Sequence, residues 1–285
     1  MSAFEDYNEK ELVSLFMYYV ETKHENIDLL IEYMNNHENS VLYSILLGDF
    51  YEKIDNEENM IKQYKKAADK NIRDAITKLI IYYGKKKYFD NMEKYIENFN
   101  NIVINGFNKQ REILEDNEEI NEETKKEIDI IENKCKKEIL SLMRYISNVY
   151  KKNDKYEEME KKLKICVDDY NDVVSMSALG DYYRRIGKID DMETYYIKGI
   201  MNECGYCAIN YGMYFQELKQ YEDMLKCYGA AIKFKNKQVY IQLYFYYKDI
   251  ENEELKEKYY KLITEDKKLM EKYCYMNEDG DLFRK

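Results

Sequence analysis

The chain has 285 residues, no proline and only ten glycines, so little in it breaks a helix and an all-α fold is expected. Fifty-six acidic against 45 basic side chains give a net charge of −11, which repels phosphate backbones and argues against nucleic-acid binding. No apolar run approaches the ~20 residues that span a bilayer, and six irregularly spaced cysteines suit reduced core positions better than a disulfide framework.

Residues 1–6 carry neither the basic region nor the apolar stretch of a signal peptide, so a cytoplasmic location is expected. Leu15, Tyr18, Tyr19, Ile27, Leu30 and Ile31 mark an atypical first helical unit. Leu47, Gly48, Tyr51, Met60, Tyr64 and Ala67 set out the next helix pair, and Tyr83 and Met92 begin another. Between Tyr83 and Tyr150 the pattern weakens. Residues 108–137 are charge-rich, with Glu115-Asp116-Asn117-Glu118-Glu119 and Glu122-Glu123-Thr124-Lys125-Lys126. Either this is a degenerate repeat, or two lengthened helices, 90–116 and 122–150, project as a polar hairpin. The unbroken stripe Ile128, Ile131, Cys135, Ile139 and Met143 favours the second reading. Beyond it, Met176, Leu179, Tyr182 and Tyr183 form one stripe, and Gly187 falls where a C-terminal cap is wanted. Ile189, Met192, Tyr195, Tyr196 and Gly199 form the next, and Tyr211, Gly212, Phe215, Tyr221, Met224, Tyr228 and Ala231 repeat the pair.

One period runs through these elements. Tyr19, Tyr51, Tyr83, Tyr150, Tyr183, Phe215 and Tyr247 stand 32 or 33 residues apart, with a double interval across the charged segment. Met60, Met92, Met159, Met192 and Met224 follow in step. Such a period predicts a solenoid. The expected architecture is a single stack of antiparallel helix hairpins over 1–285. N-terminal repeats fill 1–105, the charged segment 106–137, C-terminal repeats 138–264, and a capping helix and tail 265–285. Gly48, Gly180 and Gly212 share one phase in mid-helix, where glycine costs about 0.5–1 kcal/mol relative to alanine. They are expected where a neighbouring helix crosses too close for a Cβ. Tyrosine rings are expected to pack at groove edges with their hydroxyls in water.

The order Leu179-Gly180, Tyr183, Gly187, Met192, Tyr196, Gly199 resembles the tetratricopeptide repeat, with methionine where that family prefers alanine and without its closing proline. Ala178-Leu179-Gly180 is also similar to the Sel-one-like relatives, whose repeat is longer. Repeats of this kind are similar to those abundant in amoeba-infecting giant viruses, which would imply a host cytoplasm. The resemblance covers most of the chain and implies a right-handed α-solenoid whose first helices line a concave groove. It implies groove positions at Asp49, Ile81, Asp181, Met213 and Phe245, and three residues further on at Glu52, Gly84, Arg184, Gln216 and Lys248. It does not reproduce the Lys/Asn set that clamps a terminal carboxylate in some relatives. The expected occupant is an extended peptide or helix of another protein.

Catalytic signatures are not legible. Cys204-Gly205-Tyr206-Cys207 is the one candidate for chemistry, but a redox pair needs a βαβ context and zinc needs four ligands. Cys227 could bring a third ligand at best, and His24 and His37 lie far off as surface residues in turns. Core packing is the preferred reading of the cysteines, and no cofactor is expected. The functional expectation is a non-catalytic scaffold. A self-assembling structural component is the alternative, and a metal or redox protein using Cys204 and Cys207 the weakest.

Overall fold

The computed structural model describes residues 4–37, 40–115, 122–277 and 282–285, so the acidic run at 116–119 lies outside the described residues. The chain divides into two compact units, Met1–Ile139 and Leu140–Lys285. In the first, α1 (Glu9–Thr22) and α2 (Ile27–Asn36) precede α3 (Val41–Lys53), α4 (Glu57–Ala68), α5 (Arg73–Lys85) and α6 (Phe89–Glu115). Helix α7 (Glu122–Lys152) begins in the first unit and ends in the second. Then come α8 (Tyr156–Tyr170), α9 (Val173–Arg185), α10 (Ile189–Met201), α11 (Gly205–Glu217), α12 (Tyr221–Lys233), α13 (Val239–Asp249), α14 (Glu253–Thr264) and α15 (Lys267–Tyr273). Strands β1 (Cys274–Met276) and β2 (Leu282–Arg284) pair antiparallel, with Tyr275 opposite Phe283. The tail therefore holds a short antiparallel strand pair that the helical pattern gave no sign of.

Helices pack as successive hairpins. Helices α3 and α4, α5 and α6, α9 and α10, α11 and α12, and α13 and α14 pair closely, and α9 also touches α11, the first helix of the next pair. Helices α6 and α7 are long and unbroken at bounds close to 90–116 and 122–150. Ile113, Leu114, Ile130 and Ile131 line one recess between them, and the Cys135 thiol points at the Val103 carbonyl at 4.0 Å.

The aromatic period is a period of helix ends. Each of the seven spaced aromatics gives its backbone carbonyl to the amide five residues on, as in Tyr51 to Asn56 at 2.9 Å, Tyr183 to Lys188 at 2.9 Å and Phe215 to Gln220 at 2.9 Å. The residue before each of those donors is left-handed: Lys23, Asp55, Lys87, Asp154, Gly187, Lys219 and Glu251. This is the Schellman cap, in which the orphan carbonyls of a helix end are satisfied by the chain turning back on itself. These tight turns, 32 or 33 residues apart except for the double interval from Lys87 to Asp154, set the hairpin length. The methionines fall at the fourth residue of the following helix, where Met60, Met92, Met159, Met192 and Met224 are all buried. The second helices end in the same way on small residues, the carbonyls of Ala67, Gly199 and Ala231 accepting from Ile72, Cys204 and Asn236.

Gly187 is the only glycine among the described left-handed residues, with φ 73°, and nothing lies within 4 Å of the space a Cβ would take. Gly187→Ala is therefore expected to cost about 1–2 kcal/mol through backbone strain alone, read as a lower denaturation midpoint at unchanged slope. Lys219→Gly, at the equivalent turn with φ 59°, should move stability the other way by a smaller amount, since glycine also loosens the unfolded chain.

Candidate functional site

The surface of interest is built from one recurring arrangement. A Cβ on Gly48 would stand 2.4 Å from Tyr64 Cε1, one on Gly180 2.4 Å from Tyr196 Cε1, and one on Gly212 2.5 Å from Tyr228 Cε1. The shared glycine phase thus makes room for a ring on the second helix of the same hairpin. Each ring is fully buried and runs across its glycine to an acceptor on the first helix. Tyr64 Oη donates to Asp49 at 2.6 Å and Glu52 at 3.0 Å, Tyr196 Oη to Asp181 at 2.6 Å, and Tyr228 Oη to Gln216 at 3.0 Å. The hydroxyls therefore end on protein side chains and not in water, because an acceptor follows the glycine by one or four residues. Burial first, then the adjacent carboxylates, push Tyr64 and Tyr196 above the ordinary phenol value.

In the first unit, Lys78 of α5 closes this network. Its Nζ lies 3.2 Å from Asp49 and 2.8 Å from Glu52 and stands over the Tyr64 ring at 5.8 Å. The Lys78 hydrogen bond outweighs desolvation and holds Glu52 below its ordinary carboxylate value. Ile81 is half-buried on the same helix.

The second unit carries the other six positions. Asp181 accepts from Tyr196 and, at 2.8 Å, from Asn210 Nδ2 of α11. Although Asp181 keeps an open edge, protein crowded round its carboxyl outweighs these bonds and the Arg184 and Lys151 charges, and its pKa is raised. Arg184 pairs with Glu217, linking α9 to the end of α11. Met213 packs half-buried against the last core cluster. Phe245 faces its own chain: the Arg284 guanidinium of β2 stands 4.3 Å over the ring, and Leu282 is fully buried in the same cluster. Burial lowers the Arg284 pKa from its ordinary value. Lys248 is exposed at the end of α13.

Beside Asp181 lies a cleft of about 360 Å³ between α7, α8 and α9, lined by Arg144, Asn148, Lys151, Tyr182 and Arg185 among others. Asn148 and Lys151 stand 33 residues before Asp181 and Arg184, so they are the same two positions one repeat earlier. Sequence reasoning missed them because the glycine phase there is occupied by Ser147, which is buried and donates to the Met143 carbonyl at 2.8 Å. Counting back one period would have found them. Arg144 holds Asp172, the N-cap of α9, which also accepts from Ser175 N at 3.0 Å and Ser175 Oγ at 2.6 Å. Burial of Asp172 opposes ionisation, but Arg144 and Ser175 prevail and keep its pKa low.

The remaining candidates separate. His24 stacks on Tyr19 with centroids 4.1 Å apart, and His37 ends α2 with Nδ1 2.8 Å from the Tyr33 carbonyl. Cys204 is the N-cap of α11, and Cys227 lies on α12 against the Gly212 crossing. Among the described residues, no group of three or more His, Cys, Asp or Glu side chains converges as a cation site. No helix among them is long and apolar enough to cross a membrane. Compared with known protein families and curated proteins, the chain matches no family model and no curated sequence.

Proposed function

We propose that this chain is a non-catalytic helical-repeat scaffold that holds an extended peptide or helix of another protein along the inner faces of its first helices. Its hairpins would stack right-handed in the tetratricopeptide manner. The observation that carries this reading is the recurring glycine–tyrosine crossing. It delivers a buried phenol to the same two positions on α3 of the first unit and on α9 and α11 of the second, so these groups recur in register from one hairpin to the next in the second unit. Rigid side chains in register are what a repeat protein needs to read an extended partner. Action in the cytoplasm, of a host cell if the chain is viral, belongs to the same proposal.

Affinity enrichment of the tagged protein from its native cells, with cross-linking, tests it. One stoichiometric partner linked to α9 and α11 is expected, and Arg184→Glu with Asp181→Lys should weaken it by about tenfold as a loss of charge complementarity. Binding that survives those changes and disappears on altering 108–137 would overturn the groove assignment. Self-assembly is the second reading, favoured by the exposed Tyr18, Tyr88, Tyr206 and Tyr275. A particle size that stays monomeric across a concentration series would dispose of it.

A further inference from the structure

The two cysteines that the scaffold reading leaves unused meet at a helix start. Cys204 caps α11, its sulfur accepting from the Cys207 amide at 3.3 Å. Both sulfurs approach one acceptor, the Val173 carbonyl at the start of α9, at 3.6 Å and 3.9 Å. Gly199 leaves the space that the Cys207 sulfur fills, since a Cβ there would stand 2.2 Å from it. An N-cap and the third residue of its helix are spaced within the ~4.4–6.8 Å between Cα atoms that a disulfide bridges. Cys207 is fully buried and Cys204 is 6% exposed. Cys204 lines an open cavity of about 890 Å³ whose wall also carries Val173, Tyr206, Lys235, Lys268 and Lys272.

We propose that Cys204 and Cys207 form a reversible dithiol–disulfide pair, oxidised by a hydroperoxide entering from this cavity. The Cys207 amide at 3.3 Å favours the Cys204 thiolate, and Cys204 lines the cavity whereas Cys207 is fully buried behind it. This is the asymmetry expected of an attacking and a resolving thiol at a helix N-terminus. The Cys204 thiolate attacks one peroxide oxygen. The O–O bond breaks, an S–O bond forms, and the departing hydroxide or alkoxide takes up a proton. Cys207 sulfur then attacks the Cys204 sulfenic acid. The S–O bond breaks, the S–S bond forms, and the leaving hydroxide takes the Cys207 proton as water. Two thiols lose two electrons and the O–O bond gains them. The product withdraws both S–H donors from the Val173 carbonyl and draws Cys207 out of its contact with Gly199, changing the wall of the groove between α9 and α11.

Intact mass of the folded full chain after dilute hydrogen peroxide reads the step directly. A loss of two hydrogens, mapped to a link between residues 204 and 207 and reversed by dithiothreitol, is expected. Before oxidation, native alkylation should label Cys204 at least ~10-fold faster than the fully buried Cys166, because the thiolate is the reacting species. In Cys207→Ser, or Cys207→Ala if helicity falls in the first variant, Cys204 should stop at a sulfenic acid that dimedone traps. An unchanged mass, a link between other cysteines, or added oxygen on Cys204 of the unsubstituted chain without a link would overturn the proposal.

Discussion

Tyr196→Ala is expected to destabilise the protein by about 3–5 kcal/mol, the cost of removing a large core side chain whose site cannot collapse. The ring is fully buried and lies 5.8 Å from the Tyr211 ring. Its nearest wall is Gly180, which has no side chain to move into the hole. The substitution also leaves Asp181 with Asn210 as its remaining hydrogen-bond donor. Tyr196→Phe separates the two effects by keeping the ring and removing only the hydroxyl, which should cost about 1 kcal/mol. The pH dependence has a definite sign. Asp181 has a folded pKa raised above its unfolded value, so the native state binds its proton more tightly. The penalty is fully present above the folded pKa and is relieved as pH falls toward the ordinary carboxylate range. Removing the Tyr196 bond, which opposes the rise, should enlarge that penalty. Tyr196→Phe should therefore lose more stability at neutral pH than in mild acid, measured by chemical denaturation at both. A near-neutral Tyr196→Ala would overturn the repeat register.

The hairpin architecture was legible because several local signals agree. The spaced aromatics mark where each first helix ends, and absent prolines leave helix nearly everywhere between. The turns themselves were hidden. Of the seven Schellman positions only Gly187 announces itself, because Asp, Lys and Glu at the others say nothing locally about a left-handed conformation. The glycine phase pointed to a close crossing. It did not reveal that the crossing partner is a tyrosine ring sixteen residues on, whose hydroxyl needs the acceptor beside the glycine. Nor did it reveal that the expected groove positions are tied into their own network: Asp49 and Glu52 to Lys78, Arg184 to Glu217, Phe245 to Arg284. Those bonds join residues far apart in sequence, and one-dimensional spacing carries no information about them. The cysteine pair was legible as a candidate, but its spacing did not show that Cys204 caps α11 and accepts from the Cys207 amide.

The Gly180–Tyr196 crossing can be tested as a pair. Gly180→Leu should cost about 1–3 kcal/mol by overpacking, since even its Cβ would stand 2.4 and 2.5 Å from two carbons of a buried ring. The smaller change Gly180→Ala isolates the contact. In the unsubstituted chain it sets the clash against the gain of about 0.5–1 kcal/mol that alanine brings to a helix interior, and the clash should win because the ring is hemmed in. In the Tyr196→Ala background the ring is gone, the helix gain remains, and the new methyl fills part of the cavity. Gly180→Ala should then become stabilising. A change of sign between backgrounds is a coupling that two independent sites cannot produce, and a double-mutant cycle measures it as roughly 0.5–3 kcal/mol. The same reversal is expected for Gly48 with Tyr64, where the geometry repeats at 2.4 Å, and less cleanly for Gly212 with Tyr228, where Cys227 Cβ also stands 3.2 Å from the added methyl. Equal effects of Gly180→Ala in both backgrounds would mean that the glycine phase answers to the neighbouring backbone and not to the ring.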